Sequence, residues 1–152
     1  MQTLTELPKN LPKPEDDGAC DHLCNTNLPA IKLNATNGDV VDFSSIRDRV
    51  VIYLYPMTGK PDKVLPDGWD DIPGARGCTP QSCSFRDHYS ELKALNTSVY
   101  GLSTQNTQYQ KEAANRLHLP FSLVSDNNLE FINALKIPTF EVDGMVLSKR
   151  VT

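Results

Sequence analysis

Two cysteines five residues apart, Cys78 and Cys83, are the residues of this sequence best placed to carry out chemistry. We predict that a helix begins here, with Thr79 as its cap and Pro80 at its first position. A thiol at a helix start meets the positive end of the helix dipole, which favours the thiolate, the nucleophilic form of cysteine. The sequence therefore predicts nucleophilic thiol chemistry at Cys78.

The spacing of the two cysteines limits how they can pair. Along a regular helix, residues five apart have Cα atoms about 8–9 Å from each other, whereas a disulfide tolerates at most about 7 Å. A bond between Cys78 and Cys83 therefore requires the first helical turn to unwind. The alternative interpretation is that both are small buried core residues. A thioredoxin-type reductase is less favoured, because the sequence contains no Cys-x-x-Cys motif.

The composition is that of one ordinary globular domain. The chain has 152 residues, of which 39% are hydrophobic and 22% charged, and its net charge is −4. Because Lys and Arg are dispersed, nucleic acids and anionic membranes are poor partner predictions. No apolar run approaches the roughly 20 residues that span a bilayer. Residues 1–6 lack the features of a signal peptide, so we expect a cytosolic protein with reduced thiols.

The first half of the chain divides into four segments. Residues 1–29 are rich in proline and acidic residues, and we predict an irregular arm. Residues 30–43 contain Asn-Gly between two short apolar runs, which indicates a hairpin. Residues 50–55 form an apolar run typical of a buried central strand. Residues 56–77 form a long Pro- and Gly-rich connection, which we expect Trp69 to pin to the domain.

The second half alternates helical and strand patterns. The patterns predict a helix from Thr79 to about residue 95, a strand over 98–103, a helix over 106–117 and a strand over 121–124. They are followed by a short helix capped by Asp126, a hairpin or an extended excursion over 140–147 and the opening of a strand at 149–152. This alternation predicts an α/β layer fold with parallel neighbouring strands. The two cysteines follow the end of a central strand, where sites in such sheets usually lie.

Several of these motifs together resemble one family. The motifs are residues 53–56 (Tyr-Leu-Tyr-Pro), Gly77-Cys78-Thr79 with Cys83, residues 85–87 (Phe-Arg-Asp) and residues 149–152 (Lys-Arg-Val-Thr). Together they resemble peroxiredoxins, in particular the peroxiredoxin Q or bacterioferritin comigratory protein type. The resemblance covers about residues 30–152. It implies a thioredoxin-like three-layer sandwich with a central mixed sheet, without the family's C-terminal strand and helix. We expect a form with those elements restored to be more stable.

The resemblance also implies a function and its residues. Cys78 would attack a peroxide and become a sulfenic acid, and Cys83 would condense with it to an intramolecular disulfide that thioredoxin or a similar dithiol reduces. Arg150 would stabilise the thiolate and the developing negative charge, and Pro56 would shield the pocket. Hydrogen peroxide and small organic hydroperoxides are the implied substrates. We expect no cofactor and no metal, and a monomer or weak homodimer.

Two positions depart from the family pattern. Ala75 and Asp71 stand where the family has a Thr and a Pro, because residues between Pro56 and Cys78 are inserted. Thr58 and Thr79 are the candidates to supply the hydroxyl that positions a peroxide. The alternative function is a thioredoxin-like redox-sensing or binding domain that oxidises without efficient peroxidase turnover.

The other two cysteines, Cys20 and Cys24, lie in the predicted arm with His22 between them. An exposed or adventitious disulfide pair is the favoured interpretation. A metal site would need a further converging ligand, and thiol exchange with the Cys78–Cys83 pair is a third option. His88 and His118 are interpreted as surface or capping residues.

Overall fold

The computed structural model describes residues 4–152. Residues 1–3 lie outside this range. They belong to the predicted arm and to the segment 1–6 that was compared with signal peptides. The helices and strands are, in chain order, β1 (Lys32–Ala35), β2 (Val40–Asp42), β3 (Arg49–Leu54), α1 (Cys78–Asp87), α2 (Tyr89–Ala94), β4 (Thr97–Ser103), α3 (Thr107–Arg116), β5 (Leu123–Ser125), α4 (Glu130–Ala134), β6 (Thr139–Val142) and β7 (Met145–Ser148).

The strands form a mixed five-stranded sheet in the order β2-β1-β5-β4-β3. Strands β3, β4 and β5 are parallel, and β1 runs antiparallel to both of its neighbours. The predicted hairpin over residues 30–43 is β1 and β2, and the predicted α/β class with parallel neighbours is confirmed. Strands β6 and β7 form a separate antiparallel hairpin.

Side chains that alternate along the strands supply a core on each face of the sheet, because successive residues of a strand point to opposite sides. Leu54 packs on one face and Tyr53 on the other. The first face is covered by residues that include Phe43, Phe131 and Ile132. The second face is covered by residues of α1, α2 and α3, among them Phe85, Tyr89 and Ala113. The result is a layered sandwich around the sheet.

The predicted helix from Thr79 to residue 95 is interrupted at His88, where φ is −104° and ψ is 9°. The interruption separates α1 from α2. Tyr89, the first residue of α2, packs its ring against Phe121 with the ring centroids 5.7 Å apart. The apolar stripe of the sequence is therefore divided between two short helices: Phe85, Tyr89 and Leu92 pack partly buried on the domain, and Leu95 is exposed.

The long connection after β3 is tied to the domain through Trp69, as predicted. Trp69 is buried at the start of a short 3₁₀ turn and lies in one apolar cluster with Met57, Ala75 and Leu147. Its ring centroid lies 6.2 Å from that of Phe140 in β6. No helix within residues 4–152 is long and apolar enough to cross a bilayer.

Candidate active site

Helix α1 begins at Cys78 itself. Gly77 is the residue before the helix, with φ 107°, a left-handed conformation that favours glycine. The prediction that Thr79 caps the helix is wrong, because the left-handed turn at Gly77 starts the helix two residues earlier. Cys78 therefore lies in the first turn, where amide N–H groups lack intrahelical acceptors and the dipole favours an anion. Its side chain is buried, with 3% of its surface exposed.

The sulfur of Cys78 has two hydrogen-bond partners with opposite roles. As a thiol it donates to the backbone carbonyl of Ala75, with a sulfur–oxygen distance of 3.6 Å. Arg150 Nη2 donates to the same sulfur over 3.3 Å. The cation is therefore close enough to stabilise a thiolate directly.

A backbone bridge brings Arg150 to this position from 72 residues away in the sequence. After β7, Val151 pairs antiparallel with Leu54 at the end of β3, and the amide of Leu54 donates to the carbonyl of Val151 over 2.8 Å. Because Arg150 directly precedes Val151, it lies beside the end of β3. The chain reaches the start of α1 from that same strand end through the long connection.

The guanidinium of Arg150 is fixed by several acceptors at once. Its Nη2 donates to the carbonyls of Gly74 at 3.0 Å and Arg76 at 3.1 Å. Its Nη1 donates to the side-chain oxygen of Gln81. Backbone of the loop before α1 and one side chain of α1 therefore orient the cation toward Cys78.

Gln81, Gly74 and Arg76 were not among the predicted site residues. Gln81 stands three residues after Cys78 in α1, a spacing that places two side chains on the same helix face. That spacing could have identified it from the sequence. The carbonyls of Gly74 and Arg76 carry no signal in the amino-acid sequence, because every residue has such a group.

Cys83 is partly buried and lies in the same regular helix as Cys78. Between them, the fully buried Ser82 accepts a hydrogen bond from the Tyr53 hydroxyl over 3.0 Å. The Tyr53 ring stacks on Phe85 with the centroids 4.5 Å apart. Burial raises the pKa of the Tyr53 phenol well above its ordinary value, so the phenol stays protonated and donates. These contacts attach the second turn of α1 to β3.

The remaining predicted site residues are Pro56, Thr58 and Thr79. Pro56 and Thr58 follow β3 and are buried. The Thr58 amide and hydroxyl both donate to the Gln105 side-chain oxygen, at 3.1 and 3.3 Å. Thr79 is buried next to Cys78. The Thr58 hydroxyl therefore donates to Gln105. The residue three before Cys78 is Ala75, whose methyl side chain is buried.

The cysteines of the arm have different surroundings. Cys20 is half-buried and Cys24 exposed, and both are free thiols. Burial, followed by the carboxylates of Asp17 and its neighbours, raises the pKa of Cys20. The His22 ring lies 2.8 Å from the carbonyl of Leu135. Among residues 4–152, no three His, Cys, Asp or Glu side chains converge as metal ligands would.

Comparison with known proteins shows which family the chain belongs to. The family model described as Redoxin matches residues 24–152. The chain belongs to the redoxin family. Its curated relatives include peroxiredoxin Q, chloroplastic, from Oryza sativa subsp. japonica, 31% identical over 130 residues, which cover 82% of this chain and 53% of that protein. Peroxiredoxin bcp1 from Schizosaccharomyces pombe is 30% identical over 132 residues, covering 84% and 60% of the two chains.

Solved structures of this redoxin's relatives share its fold. Peroxidoxin BcpB from Mycobacterium tuberculosis superposes with a TM-score of 0.63 at 22% identity, over 81% of this chain and 71% of that one. The Xanthomonas campestris bacterioferritin comigratory protein superposes with a TM-score of 0.61 at 18% identity, over 93% and 74%. The predicted thioredoxin-like fold and peroxiredoxin Q-type resemblance are confirmed. The chain spans little more than half the length of the rice relative.

Proposed function

We propose that this chain is a thiol-dependent peroxidase that reduces hydrogen peroxide or small organic hydroperoxides. The observation that carries the proposal is the buried Cys78 sulfur at the start of α1 with Arg150 Nη2 3.3 Å away. A thiolate held by a helix N-terminus and a guanidinium is a nucleophile with donors already placed for a developing negative charge. The curated relatives from rice and fission yeast are peroxiredoxins, which supports the same activity.

The proposed reaction has two steps in the protein. The Cys78 thiolate attacks one peroxide oxygen, an S–O bond forms, the O–O bond breaks, and the departing oxygen takes a proton to give water or an alcohol. Cys78 is thereby oxidised to a sulfenic acid. The Cys83 thiol then attacks that sulfur, the disulfide forms, and water leaves. Thioredoxin or a similar dithiol reduces the disulfide and is itself oxidised.

Cysteine mapping by mass spectrometry after one equivalent of hydrogen peroxide tests the pairing. We expect a Cys78–Cys83 disulfide, with Cys20 and Cys24 still reduced. The Cys78→Ser variant should consume no peroxide, because its nucleophile is gone. Wild-type peroxide consumption by Cys78→Ser would refute the proposal.

The resolving role of Cys83 is tested separately with Cys83→Ser. This variant should complete the first oxidation at the wild-type rate and then stop as sulfenic acid or a more oxidised form. Unchanged steady-state turnover with thioredoxin would show that Cys83 does not resolve the intermediate.

One observation favours the second candidate, a redox-sensing domain without efficient turnover. Ala75, three residues before Cys78, has no hydroxyl and packs in the cluster of Trp69. The Thr58 hydroxyl donates to Gln105, so neither residue offers a free hydroxyl to position a peroxide. Stopped-flow measurement of Cys78 oxidation separates the two functions. A rate constant no greater than that of a free thiol at the same pH would favour sensing.

The substrate range, reductant and compartment are parts of the same proposal. The Xanthomonas campestris bacterioferritin comigratory protein has alkyl peroxide reduction activity, and we propose that small alkyl hydroperoxides are substrates here. We propose thioredoxin as reductant, the cytosol as compartment, and residues 30–152 as the redox domain with residues 1–29 as its arm. Turnover assays comparing thioredoxin with a glutaredoxin system test the reductant.

A further inference from the structure

The N-terminal arm passes over the start of α1. Its Leu7 lies against Gly77, the residue before Cys78: a Cβ placed on Gly77 would be 3.5 Å from Leu7 Cδ2 and 3.9 Å from Arg150 Nη2. Gly77 has φ 107°, a backbone conformation that favours glycine, and 3.5 Å is an ordinary van der Waals distance. Leu7 therefore covers the backbone that carries the reactive thiol.

Contacts on both sides of Leu7 fix the arm in this position. Before it, Leu4 packs so closely on Gly59 that a Cβ there would lie 2.9 Å from Leu4 Cδ2. After it, Pro14 approaches Gly74 in the loop before α1, and Asp17 lies 3.8 Å from Lys149, the neighbour of Arg150. The arm thus contacts both segments that converge on the sulfur, the loop that leads to Cys78 and the segment that carries Arg150.

These contacts oppose the movement that disulfide formation needs. Cys78 and Cys83 are in one regular helix, so the first turn of α1 must unwind before their sulfurs can meet. Unwinding moves Gly77 together with Cys78, which separates Gly77 from Leu7. We propose that Leu7 is a positioning residue of this reaction: it holds the helix start in the wound form that meets peroxide and slows the unwinding that pairs Cys78 with Cys83.

The proposal rests on the peroxidase function proposed above and adds a branch point to it. In the wound form, the Cys78 sulfenic acid can react with a second peroxide, which gives a sulfinic acid and water or an alcohol. In the unwound form it condenses with the Cys83 thiol and releases water. Because Leu7 favours the wound form, it increases the share of sulfenic acid that is over-oxidised.

A comparison of Leu7→Ala with Leu95→Ala tests the role of Leu7 in catalysis. Both leucines are more than half exposed, and Leu95 lies at the end of α2, outside the contacts of the arm. In single-turnover stopped flow, Leu7→Ala should form the disulfide about threefold faster, because less apolar contact holds the wound form. Mass spectrometry should also find less Cys78 sulfinic acid in Leu7→Ala than in the wild type. An unchanged rate of disulfide formation would overturn the proposal.

Hydrogen exchange in the reduced protein tests the same contact without any peroxide. Amides of residues 74–83 should exchange faster in Leu7→Ala, and in Asp17→Asn, than in Leu95→Ala or the wild type. If exchange accelerates and neither the wild type nor any variant consumes peroxide, Leu7 does hold the start of α1 and the peroxidase proposal fails. If exchange is unchanged while the wild type consumes peroxide, the peroxidase proposal stands and the role of Leu7 is refuted.

Discussion

At the scale of single residues, the sulfur of Cys78 lies between two groups that favour opposite protonation states. The Ala75 carbonyl accepts from the thiol, and the Arg150 guanidinium donates to the thiolate. Because Arg150 is already held by the carbonyls of Gly74 and Arg76, it needs no rearrangement when the charge on sulfur changes. Such preorganised donors are the largest contribution to catalysis in many enzymes.

The first prediction concerns Arg150. Replacing it with Met should lower the second-order rate constant of Cys78 oxidation by about 100-fold, the usual effect of removing one preorganised donor. Arg150→Lys, which keeps the charge and loses the fork of donors, should lie between Met and the wild type. Stopped-flow oxidation with hydrogen peroxide measures all three. Equal rate constants for Arg150→Met and the wild type would show that Arg150 does not contribute to the oxidation of Cys78.

The second prediction concerns the thiol of Cys20, whose pKa is raised by burial and by the carboxylates beside it. At neutral pH it should remain protonated and react slowly with iodoacetamide, because the thiolate is the nucleophile. Its alkylation should accelerate as the pH rises above the ordinary range of a cysteine. Peptide mass spectrometry over a pH series measures this, and rapid labelling of Cys20 at pH 7 would contradict it.

At the scale of elements, the sequence predicted most helices and strands but not where α1 begins or where α2 separates from it. Periodic patterns depend on several side chains, and they located β3, β4 and α3 to within a residue or two. The start of α1 depends on one left-handed glycine, Gly77, and the sequence pattern placed it at Thr79 instead. The interruption at His88 precedes Tyr89, whose ring packs on Phe121, and local patterns do not contain such a tertiary contact.

The third prediction concerns Asp126, whose carboxylate receives the amides of Phe131 at 3.1 Å and Ile132 at 2.8 Å at the start of α4. Asp126→Ala should lower the free energy of unfolding by about 1–2 kcal/mol, as loss of a helix cap does. Asp126→Asn keeps an acceptor and should cost less. Urea denaturation compares them, and equal losses would show that the acceptor atom is not what stabilises α4.

The same carboxylate gives stability a pH dependence. Burial is the main cause that raises the pKa of Asp126 in the folded protein, so the folded state binds its proton more tightly than the unfolded state. This contribution is complete below the unfolded-state pKa and is lost as the pH rises through the folded-state pKa. Urea denaturation over that acidic range should show this component in the wild type and not in Asp126→Asn.

At the scale of the whole molecule, the site depends on a contact that sequence patterns cannot predict. Arg150 and Cys78 are 72 residues apart, and the Leu54–Val151 bridge joins their segments. The resemblance to a family made both residues candidates, because members of a family share such long-range contacts. It could not place Leu7, because the arm lies outside the part of the chain that resembles the family.

The fourth prediction concerns association. The large exposed hydrophobic side chains among residues 4–152 lie on separate elements: Leu7, Val40, Val64 and Leu95. A stable dimer buries about 800 Å² on each partner, and isolated side chains do not supply a continuous surface of that size. We expect light scattering after size exclusion to give the monomer mass of 16.9 kDa at micromolar concentration. A dimer mass that persists on dilution would contradict this.

The acceptors that hold Arg150 also bear on which mutations this chain tolerates. Two of them are main-chain carbonyls, of Gly74 and Arg76, and a carbonyl is the same whatever side chain its residue carries. Substitutions at the exposed positions of the loop therefore leave the acceptors of the cation unchanged. A deep mutational scan should find the exposed positions 71 and 73 permissive, with intolerance at the buried Ala75 and at the left-handed glycines 74 and 77.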